Sequence, residues 1–430
     1  MARHTMTRHT LPAVWMRAGT SKGLFIHGEH LPADQTQWVG PLLAAMGGDS
    51  RQLNGVGGAT STTSKVAVVS RSAREGVDVD YTFAQVSVGG GKVDLSGNCG
   101  NMASGVGPFA VQEGLVPRPK NGESKVDVCI FNTNTERTIV ETIEIDNNGD
   151  FQEDGNYAMP GLQGITGSEI KVAFVSPAGS MTGRLFPTGN PIDYLTIDTT
   201  SPGDEPLHIR ATLLDAANPF VLVDASTLPP PLRDPAARAD DPAYLSLVES
   251  IRRRGAVRMG LADSDAAAAR VRGTPKIALL WPASGPDADV KVRSFSMGKA
   301  HPSLQLTGAV CLGAGLCLPG TVPQRLAEGG LYGGLPTPAR TPSPSEVGRG
   351  KAEAGSVVVG VEGAEGQEQG RARACDIAQT VKIEHVSGLI EVEVVTRSFL
   401  DGAEARVEVD RCVVSRTARR LFEGNVYFYL

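Results

Sequence analysis

Two helical stretches of this chain consist almost entirely of small and apolar residues, and they narrow the possible architectures more than any other feature. The first is Asn98-Cys-Gly-Asn-Met-Ala-Ser-Gly-Val-Gly-Pro-Phe-Ala110 and the second His301-Pro-Ser-Leu-Gln-Leu-Thr-Gly-Ala-Val-Cys-Leu-Gly-Ala314; each follows a glycine-marked turn. Glycine weakens a helix by roughly 1 kcal/mol per residue relative to alanine. A helix tolerates that most readily when it is buried on every face, as when strands wrap around it. Aligning Ser104-Gly105-Val106 with Thr307-Gly308-Ala309 pairs the two stretches. The pairing suggests an internal duplication: two similar domains, each a curved sheet about one central helix. Two unrelated buried helices fit the same pattern equally well.

The rest of the chain supplies the strands. Alternation of apolar and polar residues marks Val77–Val86, Lys125–Phe131, Arg137–Ile145, Lys276–Leu280 and Asp289–Arg293, and a hairpin-like run covers Thr380–Val394. Helical spacing is confined to Gln35–Met46, Asn101–Leu115, Tyr244–Met259 and Leu304–Cys317. The mixture predicts an α+β protein. Between Leu335 and Arg373, segments such as Thr337–Ser345 and Gly363–Gly370 carry too little apolar surface to offset their ordering entropy. That stretch reads as a surface insertion without chemistry, with a short strand conceivable at Val357–Val359. The first ten residues read as similarly loose.

At 430 residues, two or three compact units are expected. A net charge of -6 without a Lys/Arg block argues against a nucleic-acid partner. No run approaches 18 consecutive apolar residues, and the first ten residues lack the apolar centre of a signal peptide. A soluble, cytoplasmic protein that leaves membranes alone is the expectation. The six cysteines are widely spaced with no CxxC pair, so neither a zinc cluster nor a disulfide framework follows. His27 and His30 have no Cys or His partner nearby, and a metal-free protein is expected.

Two residues stand out chemically. Cys99 lies at a helix N-terminus, where unpaired N–H groups and the macrodipole favour a thiolate or a developing oxyanion. Lys65 ends the turn Gly57-Gly-Ala-Thr-Ser-Thr-Thr-Ser64 and opens the apolar strand Lys65–Val69. That turn is not a phosphate loop, since Val66 stands where magnesium would require a hydroxyl. Gly89-Gly-Gly91 likewise lacks the dinucleotide fingerprint. On residues alone, a solvated strand-end lysine and an inert buried cysteine remain open readings.

Taken together, Met16-Arg-Ala-Gly-Thr-Ser-Lys-Gly23, Gly57–Ala67, Ser96-Gly-Asn-Cys-Gly-Asn-Met102, Phe186-Pro-Thr-Gly189, Asn218-Pro-Phe220, Met297-Gly-Lys-Ala-His301 and Thr307-Gly-Ala-Val-Cys311 resemble the PrpF family, over nearly the whole chain and in the same order. This family contains isomerases of unsaturated di- and tricarboxylic acids, among them methylaconitate and methylitaconate isomerases, 4-oxalomesaconate tautomerase and aconitate delta-isomerase. The resemblance implies the diaminopimelate epimerase-like fold, two pseudo-symmetric domains with the active site in the cleft between them. Expected domains are 1–184 and 185–412, the latter with its insertion at 335–373, and residues 413–430 returning to the first. A homodimer is an open possibility.

The resemblance also implies a cofactor-independent 1,3-proton shift or cis/trans isomerisation of an unsaturated tricarboxylic acid such as cis-aconitate, trans-aconitate or 2-methylaconitate, in which the double bond moves or is remade with a new geometry. Such chemistry requires a base near the working pH, an acid, and fixed positive dipoles for carboxylates and dienolate. Lys65 matches the family's catalytic lysine and Cys99 its cysteine, the partner acid or base across the substrate, with the two roles interchangeable. Arg17 is expected to hold a carboxylate bidentately, and Thr20, Ser21, Thr60, Ser61, Thr62 and Ser64 to offer hydroxyls and turn N–H groups. Asn98, Gly100, Asn101 and Met102 flank Cys99, and His301 and Ser303 are candidates from the second half. Gln305, Asn218, Lys299 and Lys22 rank behind them. In racemases of this fold each central helix begins with a catalytic cysteine, but the glycine alignment pairs Cys99 with Pro302. A two-cysteine amino-acid racemase is therefore disfavoured; an oxalomesaconate-type tautomerase and an inactive tricarboxylate-binding protein remain alternatives.

Overall fold

The structure, a computed structural model, describes residues 6–117, 122–162, 164–198, 205–328, 375–401 and 404–430. The expected insertion at 335–373 lies outside the described residues.

The first half contains β1 (Arg8–Ala18), β2 (Ser21–His27), α1 (Val39–Met46), β3 (Lys65–Arg71), β4 (Val79–Val86), the short helices α2 (Gly100–Ala103) and α3 (Val106–Gln112), β5 (Lys125–Asn132), β6 (Arg137–Glu144) and β7 (Ile170–Val175). Along the sheet, β1–β2 is antiparallel, β2–β3 parallel, β3–β4 antiparallel, β4–β5 parallel, and β5–β6 and β6–β7 antiparallel. The second half contains β8 (Asp193–Ile197), β9 (Leu207–Ala216), β10 (Asn218–Asp224), α4 (Pro242–Arg258), β11 (Lys276–Pro282), β12 (Val290–Ser296), α5 (Leu306–Cys317), β13 (Cys375–His385), β14 (Gly388–Asp401) and β15 (Glu404–Arg416). From β9 to β15 the same sequence of pairings returns: antiparallel, parallel, antiparallel, parallel, antiparallel, antiparallel. Each half carries one further outer strand, β8 on β9 and the last strand, β16 (Ala418–Tyr429), on β1. The halves join where β7 pairs antiparallel with β15. This repeated strand order is the duplication that the glycine alignment suggested.

The small-residue helices form the axis of each half. Every residue of α5 from Leu306 to Leu316 is buried, as is every residue of α2 and all of α3 up to Val111. Glycine is needed there because strand side chains press against the helix backbone. A Cβ at Gly105 would lie 2.7 Å from the Phe25 ring, and one at Gly308 would lie 2.9 Å from the Phe220 ring. Phe25 and Phe220 sit on the equivalent strands β2 and β10, so the paired glycines make matching contacts in the two halves.

Several local expectations need correction. Asn101–Leu115 is not one helix but two, interrupted at Ser104-Gly105, where the Ser104 hydroxyl donates to the Asn101 carbonyl at 2.8 Å. Pro108 then falls in the first turn of α3, where its missing N–H costs no helical bond. Gln35–Met46 splits at Trp38 into a 3-10 turn and α1. The long helix begins at Pro242, capped by the Asp241 carboxylate, which accepts from the N–H groups of Ala243 and Tyr244. Of the N-terminal residues expected to be loose, Arg8–Thr10 belong to β1 and pair with Tyr427–Tyr429 of β16.

Candidate active site

Lys65 is the first residue of β3, beside β2 in parallel register with Gly23. A Cβ at Gly23 would meet the Lys65 carbonyl at 2.3 Å and the Met102 methyl at 2.8 Å, so the motif's glycine lets β2 lie against the lysine backbone. The Lys65 side chain is buried, and its Nζ donates to Gln85 Oε1 at 3.1 Å and to Cys99 Sγ at 3.3 Å. Gln85 is in turn fixed by donating from Nε2 to the Ser64 carbonyl at 2.9 Å. An amide at position 85, in place of a carboxylate, orients the ammonium without neutralising it. The charge of Lys65 is left for Cys99.

Cys99 is the N-cap residue of α2. Its burial opposes ionisation, but the Lys65 ammonium, the Met102 N–H and the Lys276 ammonium together outweigh burial and hold the thiol below its usual range. The Tyr81 hydroxyl donates to the Cys99 carbonyl at 3.4 Å, and Asn132 Nδ2 donates to Asn98 Oδ1 at 2.9 Å. Both contacts fix the peptide that presents the sulfur.

The cleft around this pair encloses about 600 Å³, open solvent at its mouth included. The structure brings Ser21, Ser61 and Thr62 to one side of the expected set, and Asn98, Gly100 and Asn101 beside Cys99; His301 joins them from the second half. His301 is buried, and its Nδ1 accepts from the Ser303 N–H at 3.1 Å. Burial lowers its pKa to about 4, so the ring is neutral near pH 7, with the proton on Nε2.

Other expected residues serve the frame instead. Arg17 does not line the cleft: its guanidinium donates to the carbonyls of Gly19, at 3.2 Å, and Thr417, at 2.8 Å, tying β1 to the end of the chain. Thr20 Oγ1 accepts from Asn101 Nδ2 at 3.1 Å and so orients a lining residue. Thr60 bonds Thr62 and Thr63 within the turn, and Ser64 is fully buried, donating to Gln52 Oε1 at 2.6 Å. Met102 is core, acting on Cys99 through its N–H alone, and Ser303 contributes its backbone. Asn218, among the lower-ranked candidates, is fully buried and away from the lining, whereas Gln305 lines the cleft.

Cys99 and Lys65 were expected on opposite sides of the substrate, but they touch each other on one wall. The sequence reading also missed Lys276, the first residue of β11 and hence the counterpart of Lys65 in the repeated strand order. Its signal was present: Lys276-Ile-Ala-Leu-Leu280 repeats the pattern of Lys65-Val-Ala-Val-Val69. Lys276 lines the cleft, with Nζ 3.5 Å from both the Asn98 carbonyl and Thr307 Oγ1. No cysteine occupies the counterpart of position 99. The glycine alignment gives Pro302 and the helix cap gives Gln305. Among the described residues, no cluster of three or more His, Cys, Asp or Glu is arranged to hold a metal ion.

Comparison with known proteins agrees with this architecture. The family described as PrpF protein matches residues 8–338. The 2-methyl-aconitate isomerase of Cupriavidus necator is 35% identical over 348 residues, covering 74% of this chain and 85% of that protein. The crystal structure of methylitaconate-delta-isomerase superposes with a TM-score of 0.63 at 30% identity, covering 98% of this chain and 96% of that one. A hydroxyproline epimerase from Agrobacterium vitis superposes with a TM-score of 0.50 at 11% identity, covering 97% and 92%, which shows a shared fold and nothing further.

Proposed function

This chain belongs to the PrpF protein family, and we propose that it is an isomerase that moves a double bond in an unsaturated tricarboxylic acid, of the aconitate or 2-methylaconitate kind, by an allylic 1,3-proton shift. The observation that carries the reading is the Lys65–Cys99 contact in the cleft, made by a lysine whose other hydrogen-bond partner is a neutral amide. The two groups share a proton, and either can take one from carbon while the other returns one. The C–H bond at one end of the allylic system breaks toward the Cys99 sulfur and its electron pair becomes the new double bond. The former π pair then takes a proton at the other end from the Lys65 ammonium, and transfer of the proton from Cys99 to Lys65 restores the pair. Because the two groups are adjacent, removal and return occur on the same face of the substrate. Composition and oxidation state are conserved overall, so the proposal includes no cofactor. A cytoplasmic location is part of it, and the unpaired Cys99, Cys129, Cys311, Cys317 and Cys412 support that.

The test is proton NMR of cis-aconitate, trans-aconitate, 2-methylaconitate and 4-oxalomesaconate with the enzyme. Appearance of a positional or geometric isomer from one of the aconitates supports the reading and identifies the substrate. Conversion of 4-oxalomesaconate alone would replace it with a tautomerase, and binding of these acids without conversion would overturn it in favour of a binding protein.

A further inference from the structure

A polycarboxylate substrate requires cations, and Arg17, the residue expected to provide one, is occupied with backbone carbonyls outside the cleft. Lys65 is turned toward Cys99. Among the described residues lining the cleft, the other lysine is Lys276, and no arginine is present. We propose that Lys276 is the carboxylate anchor of this site: its ammonium binds the carboxylate conjugated to the migrating double bond and takes up the charge that develops on it as the proton leaves. This rests on the isomerase reading and assigns within it a residue that the motifs did not single out.

Three observations support the assignment. Lys276 has no ion-pair partner among the described residues, and its two polar contacts, at 3.5 Å, are at the limit of hydrogen bonding. An ammonium held so loosely retains donors for a ligand. Its place at the head of β11 repeats that of Lys65 at the head of β3, so the duplication supplies one lysine from each half to a single cleft. Thr307, in the first turn of α5, shares the contact, so the positive end of that helix lies beside the ammonium and favours an anion there. An anchor on the conjugated carboxylate binds the dienolate more tightly than the ground state, and that difference accelerates the reaction.

The charged surroundings fix the expected pH dependence. Burial, with Lys65 as a second cation, lowers the pKa of Lys276 to about 8, against the opposing pull of Cys99, Asp94 and Cys311. His301 faces the same cleft and is neutral. On the adjoining groove that Lys276 also lines, Glu249, Arg252 and Arg272 are present, with Glu249 paired to Arg252. The ammonium is therefore present below about pH 8 and lost above it, and an anchor predicts activity that falls as pH rises through that region.

The experiment compares the wild type with Lys276→Met and Lys276→Arg. Turnover is read against pH on whichever acid the wild type converts, and binding of tricarballylate, a saturated tricarboxylate, is read by calorimetry. Lys276→Met is expected to lower kcat/KM by about 100-fold, mainly through kcat, and to weaken tricarballylate binding by about tenfold. Lys276→Arg should retain much of both and move the alkaline limb to higher pH, a shift that a merely structural role would not produce. Tricarballylate binding within twofold of wild type in both variants would overturn the proposal. So would an alkaline limb unchanged in Lys276→Arg, or activity that rises through pH 8 in the wild type, the signature of a general base. If the wild type converts no acid but its tricarballylate binding depends on Lys276, the isomerase reading fails while the anchor stands.

Discussion

Lys65 Nζ lies 3.3 Å from Cys99 Sγ, and the other hydrogen-bond partner of that ammonium is the amide of Gln85. The cysteine in contact with Lys65 balances its charge by ionising, and its thiol is held below the usual range where burial alone would have raised it. The other cysteines show what burial does without a lysine in contact: the Cys311 thiol is pushed far above its usual range and that of Cys317 up to about 11.

Alkylation by iodoacetamide should therefore be selective for Cys99 near pH 7, its rate levelling off below the usual thiol range. In Lys65→Met the burial remains and the compensating charge is gone, so the rate at pH 7 should fall by about tenfold or more. Mass spectrometry of the modified peptides reads this directly. Equal labelling of Cys317 and Cys99, or an unchanged rate in Lys65→Met, would contradict the assignment.

Gly100 marks the junction between the two central helices. A Cβ there would meet Leu306 Cδ2 at 2.5 Å and the Phe174 ring at 3.1 Å, and Cys99 is the residue immediately before it. Gly100→Ala should destabilise the protein by about 1–3 kcal/mol through overpacking and should lower activity by displacing the sulfur. Leu306→Ala in the same chain should recover part of the activity, because it vacates the space the new methyl needs. Urea melts and rate assays on the single and double variants decide this, and strictly additive losses would count against a direct contact.

Glu141 is fully buried, its Oε2 accepts from the Gly107 N–H at 2.8 Å, and its Oε1 has no protein partner. Burial raises its pKa well above the usual carboxylate value, so the folded state holds a proton that the unfolded chain releases. The sign follows: this stability is fully present below the unfolded pKa and is lost as pH rises toward the folded one, by about 1.4 kcal/mol for each pH unit crossed. Glu141→Gln removes the dependence, so its stability relative to wild type should improve from pH 5.5 to pH 8.5. A difference in urea midpoints that stays constant with pH would refute this.

Arg416 is buried with no carboxylate partner among the described residues, and burial pushes its pKa down to about 10; its Nε donates to Asn101 Oδ1 at 3.2 Å. Asn101 lines the cleft with its other end on Thr20. Arg416→Met should lower activity by about tenfold through the loss of that orientation, with little loss of stability because a buried cation has been removed. Calorimetric melting beside a rate assay separates the two, and full activity in the variant would show that Asn101 needs no such support.

How much of this was legible in the sequence follows from the range of each interaction. Glycine at helical spacing betrayed the central helices and their duplication, because a buried helix crowded by Phe25 or Phe220 cannot carry side chains at Gly105 or Gly308. The break at Ser104-Gly105 escaped notice, since it depends on a hydroxyl bonding back to the Asn101 carbonyl in place of a continued helix. Lys65, Cys99 and the hydroxyls of Ser21, Ser61 and Thr62 come from local motifs and do meet in one cleft. Arg17 failed as a cleft residue because its partner, the Thr417 carbonyl, lies 400 positions away in sequence, and the repeat of Lys65-Val-Ala-Val-Val69 in Lys276-Ile-Ala-Leu-Leu280 acquires meaning only once strand order sets β11 in the place of β3.

The most direct test of the account follows deuterium from solvent into the acid that the wild type converts, with Lys65→Ala and Cys99→Ser measured alongside. The account predicts deuterium uptake in step with isomerisation in the wild type, and loss of both in each variant, by a factor on the order of a hundred or more. Isomerisation by Lys65→Ala at the wild-type rate would contradict it, because the proton would then be moved by other groups.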